Sequence, residues 1–182
     1  MFYKEEMYEY ILPLVELVNF SKGYRLNDFD CSSEDYNSFL LNDAEQYINE
    51  NISKIKLLIN KQNGDIISYM ALSTDSFLLD SEEKSKEGLD IPFNSVPAVK
   101  IGKLATDKKY KDLPYGSFML WLSLGFLEKI NELGVGCRCI IVDADITERP
   151  DTPEFYLKNG FEFNEKENKK RTRSLSMRFD AF

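Results

Sequence analysis

The stretch that most restricts what this chain can fold into is Ala98–Leu133, which reads AVKIGKLATD, then KKYKDLP, then YGSFMLWLSLGFLEKINEL. The first block is a β-strand, the second a polar loop rich in lysine, and the third a strongly apolar helix. A strand that feeds a helix through a short loop aims the first free N–H groups of that helix at one point in space. Anions bind at such a point, because those donors lack partners and the helix dipole is positive there.

The strand carries a second clue. Val99 and Ile101 share a face by the two-residue alternation, but the next large apolar residue, Leu104, has the opposite parity, with Gly102 and Lys103 between. Two readings account for this: a bulge near Gly102, or a central strand buried on both faces.

At 182 residues, with 43% hydrophobic and 30% charged residues, the chain is read as one soluble domain, 1–182, large enough for a proper core. Three cysteines, Cys31, Cys137 and Cys139, show no C-x-x-C spacing, which speaks against a disulfide scaffold or a zinc site and for a reducing, cytoplasmic compartment. Cys137 and Cys139 are packing residues rather than nucleophiles. Histidine is absent altogether. Its absence excludes Ser-His and Cys-His mechanisms and leaves carboxylates, Tyr, Lys, Cys or water as acids and bases. The N-terminus has Glu5 and Glu6 where a signal peptide carries basic residues, and no segment is apolar enough for a membrane helix.

The net charge of −8 admits two readings, plain solubility or preference for a cationic acceptor such as an amine. Against it stand Lys100, Lys103, Lys108, Lys109 and Lys111, all within the strand and loop.

Four phrases resemble the GNAT superfamily of acetyl-CoA-dependent N-acyltransferases. Lys111, Asp112, Leu113, Pro114, Tyr115 and Gly116 occupy the register of its motif A, Q/R-x-x-G-x-G/A, with Lys111 in place of Gln or Arg and Pro114 in place of the first Gly. FDCSSEDYNSFLLNDA and IGKLATDKKY are similar to the toxin-like branch, and PEFYLKNGFEF resembles motif B. The similarity spans about residues 26–165.

The resemblance implies a mixed α/β fold whose central sheet splits between two parallel strands and is flanked by helices. It implies acetyl-CoA as co-substrate and no metal. The backbone of Leu104, Ala105 and Thr106 would pair with the pantetheine arm. Lys109, Lys111 and the segment Asp112, Leu113, Pro114, Tyr115, Gly116 and Ser117 would hold the phosphates, although the bland alternative for the lysines is a solvated basic face. Pro114 deletes one N–H donor but is accepted in a first helical turn. Tyr156, core by its position on a short helix, becomes by the resemblance the acid that protonates the departing thiolate. No general base stands out; Asp107 and Asp143, through water, are the candidates. Family members are commonly dimers.

Elsewhere, residues 8–29 supply a short strand or helix. Ser32 or Ser33 caps a helix over about Glu34–Asn49, with Tyr36, Phe39, Leu40, Tyr47 and Ile48 on its packed face. KIKLLINK and DIISYMALSTDSF form a hairpin through Asn63-Gly64. A charged insertion follows at about 78–97, either a lid or a mobile loop, with Leu89, Ile91 and Phe93 as its anchors. In the long helix Met119, Leu122, Phe126 and Ile130 are core, and Gly134 ends it. GCRCIIVDAD is a buried parallel strand, Thr152 as N-cap and Pro153 in the first turn open a short helix, and Leu175, Met177 and Phe179 alternate inward on a last strand.

The functional expectation is direct transfer of acetyl from acetyl-CoA to a primary amine on a small molecule or peptide. Two alternatives stay open. One is a toxin-like enzyme that acetylates aminoacyl-tRNA, for which the basic tail Lys166, Lys169, Lys170, Arg171 and Arg173 speaks and the acidic balance does not. The other is a non-catalytic interaction module.

Overall fold

In the computed structural model, residues 2–182 are described, and side chains from residue 6 onward. The chain gathers into two compact units, 1–73 with 103–121, and 74–102 with 122–182. One seven-stranded mixed sheet has the strand order β1-β2-β3-β4-β5-β7-β6, formed by Val15–Asn19, Lys54–Asn60, Ile66–Leu78, Ser95–Thr106, Cys139–Asp145, Glu162–Phe163 (β6) and Ser174–Asp180 (β7). Among the described residues no helix is long and apolar enough to cross a membrane.

In the first unit the N-terminal residues resolve the open choice in both directions: helix α1, Phe2–Ile11, runs through a 3-10 turn at Leu12–Leu14 into β1. Pro13 in that turn prevents α1 from continuing, since its ring clashes with the preceding turn. The hairpin forms as the sequence indicates. Its connection uses Gly64 at φ +74°, with the Gly64 N–H donating to the Asn60 carbonyl at 2.8 Å.

The helix expected over residues 34–49 contains an irregularity. It consists of α2, Glu34–Ser38, a π-helical turn, Phe39–Asp43, and α3, Ala44–Asn49. The wider turn inserts an extra residue, so Phe39, Leu40 and Ala44 are all buried, Ile48 packs against them, and Tyr47 is carried out to 42% exposure. Ser33, in extended conformation, is the N-cap residue but makes no side-chain cap hydrogen bond.

The second unit contains the parallel pair of the sheet. β4 and β5 pair in register from Ala98↔Cys139 to Ile101↔Val142. Both strands run on past the last paired residues, β4 to Thr106 and β5 to Asp145. Consecutive burial of Ala98 and Val99 shows β4 covered on both faces where it is paired. β5 continues the sheet into β7 from Cys139↔Asp180 to Asp145↔Ser174.

The insertion carries structure of its own. Asp80 closes a full capping box with Glu83 at the start of α4, Ser81–Lys86. Leu79 is buried with Phe77, Val96, Ala98, Cys139 and Ile141, and Leu89 and Ile91 pack on that cluster. Phe93, expected as an anchor, is 59% exposed; Lys84 Nζ instead donates to its carbonyl at 3.3 Å and to that of Ile91 at 3.0 Å.

Helix α5, Tyr115–Glu132, buries Tyr115, Phe118, Met119, Leu120, Ser123 and Leu127, while Leu122, Phe126 and Ile130 are half-buried. Gly134, at φ +83°, ends it. β7 differs most from expectation. Met177 is fully buried, but so are Ser176 and Arg178 on the other face, at 2% and 3% exposure.

Candidate active site

At the end of β4 the backbone of Ala105 accepts a hydrogen bond from Ser68 Oγ at 2.6 Å, and Thr106 Oγ1 lies 3.1 Å from the same oxygen. The chain then turns on Asp107, which is 2% exposed. Its N–H donates to the Ile67 carbonyl at 2.8 Å and its carbonyl accepts the Tyr110 N–H at 3.0 Å. Its carboxylate accepts two further N–H groups, Asp30 on Oδ2 at 2.9 Å and Lys109 on Oδ1 at 2.8 Å. Tyr110 donates its hydroxyl to Asp65 at 2.8 Å, which fixes the loop to the hairpin.

The loop then enters α5. The Phe118 N–H bonds to the Pro114 carbonyl at 2.9 Å and the Tyr115 N–H folds back onto Leu113 at 2.8 Å. Pro114 is therefore the N-cap residue, one position before the first turn in which the sequence places it. Among the described residues the N–H groups of Lys111, Asp112, Leu113, Gly116 and Ser117 have no hydrogen-bond partner. Unpartnered N–H groups at the start of an 18-residue helix are the kind of donor that an anion accepts from. Burial, reinforced by the charge of Asp112, raises the pKa of the Tyr115 hydroxyl.

The five lysines do not act together. Lys103 pairs with Asp35 at 2.5 Å and lies 4.4 Å over the Tyr36 ring. Lys108 pairs with Asp30, whose carboxyl is held far below the usual range by that hydrogen bond and by the Ser32 N–H and Asn37 amide. Lys100 lies 2.7 Å from Asp143 and 3.3 Å from Asp75; burial pulls its pKa down, but the two carboxylates outweigh it and the ammonium ends above its ordinary value. Of the five, Lys109 and Lys111 are exposed and have no ion pair among the described residues. A diphosphate fits this donor set of free N–H groups and two unpaired ammonium groups.

Tyr156 stands in the second unit on α6, Thr152–Lys158. The N-cap is Asp151 rather than Thr152, and the helix stops at Asn159 and Gly160, the latter at φ +85°. Tyr156 is 8% exposed, with its ring 5.1 Å from Phe155 and 5.3 Å from Phe161. The two rings pack against the Tyr156 ring.

Neither candidate base is free. Asp107 is spent on backbone N–H groups, and Asp143 is shared between Lys100 and Arg171. The sequence reading missed Asp30 as the partner of this loop. FDC marked the phrase, but nothing local shows that residues 77 positions apart meet.

No protein-family model matches the chain, and no curated protein matches it. Solved structures do. The chain is similar to a tyrosine-to-phenylalanine mutant of KacT, with TM-score 0.75 and 21% identity over 92% of this chain and 95% of that one. The fold is the GNAT acyltransferase fold. Among structures with this fold, AtaT complexed with acetyl-methionyl-tRNAfMet matches at TM-score 0.72 and 20% identity, covering 91% of this chain and 94% of that one. AtaTR bound with AcCoA matches at 0.71 and 21%, covering 92% and 94%.

Proposed function

We propose that this GNAT-fold protein is an N-acetyltransferase that moves acetyl from acetyl-CoA directly to a primary amine. The observation that carries the reading is the donor set of the Lys109–Ser117 loop: five N–H groups and two lysines without a partner among the described residues, in a chain of net charge −8. A similar fold bound with AcCoA supports it.

In this reading the phosphates of coenzyme A lie on the free N–H groups from Lys111 to Ser117, with Lys109 and Lys111 beside them. The pantetheine arm follows the backbone of Leu104, Ala105 and Thr106. The acceptor nitrogen attacks the thioester carbonyl carbon; the C–N bond forms, the C–S bond breaks, and coenzyme A leaves as the thiolate. Tyr156 supplies the proton to that sulfur, and the proton lost from the amine goes to water, since Asp107 and Asp143 are both committed elsewhere. Catalysis is mostly the holding of an uncharged amine against the thioester.

A second reading specifies the acceptor as the amino group of an aminoacyl-tRNA. It is supported by the similarity to AtaT complexed with acetyl-methionyl-tRNAfMet, and by the basic turn, where Lys166, Lys170 and Arg173 form no ion pairs among the described residues. The test is transfer of labelled acetyl from acetyl-CoA to charged tRNA and to polyamines and peptide amines in parallel. Labelled tRNA whose yield falls steeply with salt favours the second reading, because phosphate contacts are lost as counterions compete. Labelled small amines with tRNA untouched reject it, and no labelled product from any acceptor rejects the enzyme reading.

A further inference from the structure

Two carboxylates form a clasp behind the loop. Asp107, 2% exposed, draws in the N–H groups of Asp30 and Lys109 at 2.9 and 2.8 Å. Asp30 in turn accepts from the Ser32 N–H at 2.8 Å and the Asn37 amide at 3.0 Å, and pairs with the Lys108 ammonium; the Lys108 N–H donates to the Asp30 carbonyl at 2.9 Å. The clasp thus treats two adjacent lysines differently. Lys108 is turned back onto Asp30 from both ends, backbone and side chain. Lys109 is held by its backbone alone, and its ammonium is left to solvent.

Asp107 thus ties down the N–H groups that precede Lys111, one on each carboxylate oxygen and one on its carbonyl. Lys109 and Tyr110 are satisfied by Asp107, the one through its side chain and the other through its carbonyl, whereas the N–H groups of Lys111, Asp112 and Leu113 have no partner among the described residues. Such local carboxylate-to-backbone bonds compete with other turn conformations and select one.

We propose that Asp107, backed by Asp30, is a positioning residue for the coenzyme: it fixes the loop so that Lys109 and the N–H groups beyond it face the phosphates, while Lys108 serves the clasp and not the ligand. The inference rests on the acetyl-CoA reading and adds the residue that shapes its phosphate site. In Asp107→Asn one acceptor oxygen becomes an NH₂ donor, so one of the two N–H groups loses its partner while volume is kept.

The test titrates wild type, Asp107→Asn and Asp30→Asn with acetyl-CoA and, by NMR, with S-acetylpantetheine, which lacks the phosphates. Asp107→Asn weakens acetyl-CoA binding about tenfold or more and leaves S-acetylpantetheine unchanged; Asp30→Asn acts in the same direction and less. Lys109→Met weakens acetyl-CoA binding more than Lys108→Met does. Asp30, at the surface, carries the test if Asp107→Asn does not fold. Folded variants that bind acetyl-CoA as the wild type does overturn the proposal. So does equal weakening of both ligands, which marks a merely structural role. If wild type itself fails to bind acetyl-CoA, the functional reading falls first and this inference with it.

Discussion

Arg178 offers the sharpest quantitative test of how the insertion is held. Its guanidinium, 3% exposed, donates to the Phe163 carbonyl and to Asn164 Oδ1, both at 3.0 Å, and pairs with Glu87 just beyond α4. Glu83 Oε1 lies 4.0 Å away. Arg178→Met keeps most of the volume but leaves the Glu87 carboxylate, 16% exposed, without its counter-charge. Removing one partner of a buried pair costs about 3–5 kcal/mol. At about 2–4 °C per kcal/mol for a chain of this size, Tm falls by about 6–20 °C. The assay is urea unfolding with calorimetry. The double variant Arg178→Met with Glu87→Met recovers part of the loss, because Glu87 is then no longer left without its counter-charge, while Glu83 and Glu162 still lack Arg178. A single-variant cost below about 1 kcal/mol, or strictly additive losses in the double variant, refutes the reasoning.

Three further outcomes follow from the same geometry. Tyr156→Phe keeps the packed ring and removes the hydroxyl, so kcat falls by about 10²-fold or more with acetyl-CoA affinity unchanged; unchanged turnover excludes Tyr156 as the acid. The Asp30 carboxyl, depressed by Lys108, Ser32 and Asn37, contributes stability that is present above the unfolded value of about 4 and lost as pH falls through its folded value. The difference in unfolding free energy between wild type and Asp30→Asn therefore shrinks as pH is lowered from about 5, measured by urea titration, and a pH-independent difference contradicts this. Cys31, Cys137 and Cys139 are all buried, and burial pushes the Cys139 thiol up to about 12. A colorimetric thiol reagent at neutral pH reacts with none of them quickly until the chain unfolds, and rapid native labelling refutes that.

The elements legible in the sequence are those whose signal is local. The Asn63-Gly64 turn, the strand-loop-helix from Ala98 onward and the Gly134 and Gly160 stops need no distant partner to be recognised, and each is in place. What escaped depends on contacts far along the chain. Asp107 meets Asp30 and Ile67, and Arg178 meets Glu87, 91 positions away. A buried arginine on a strand reads in sequence as a solvent-facing residue, since its burial depends on a carboxylate supplied from the insertion. The lysine cluster misled for the same reason: proximity in sequence says nothing of which ammonium groups the fold neutralises. The π-helical turn at Phe39–Asp43 moved Tyr47 off the packed face, a one-residue phase change that periodicity alone does not reveal.

The measurement closest to the central claim is calorimetric titration of the protein with acetyl-CoA, paired with thermal unfolding of wild type and of the Lys109→Met, Lys111→Met variant. One coenzyme per chain, stabilisation of about 2.7 kcal/mol at a hundredfold excess over Kd, and weaker binding in the variant are the expected results. No heat and no shift in Tm at millimolar acetyl-CoA contradict the account.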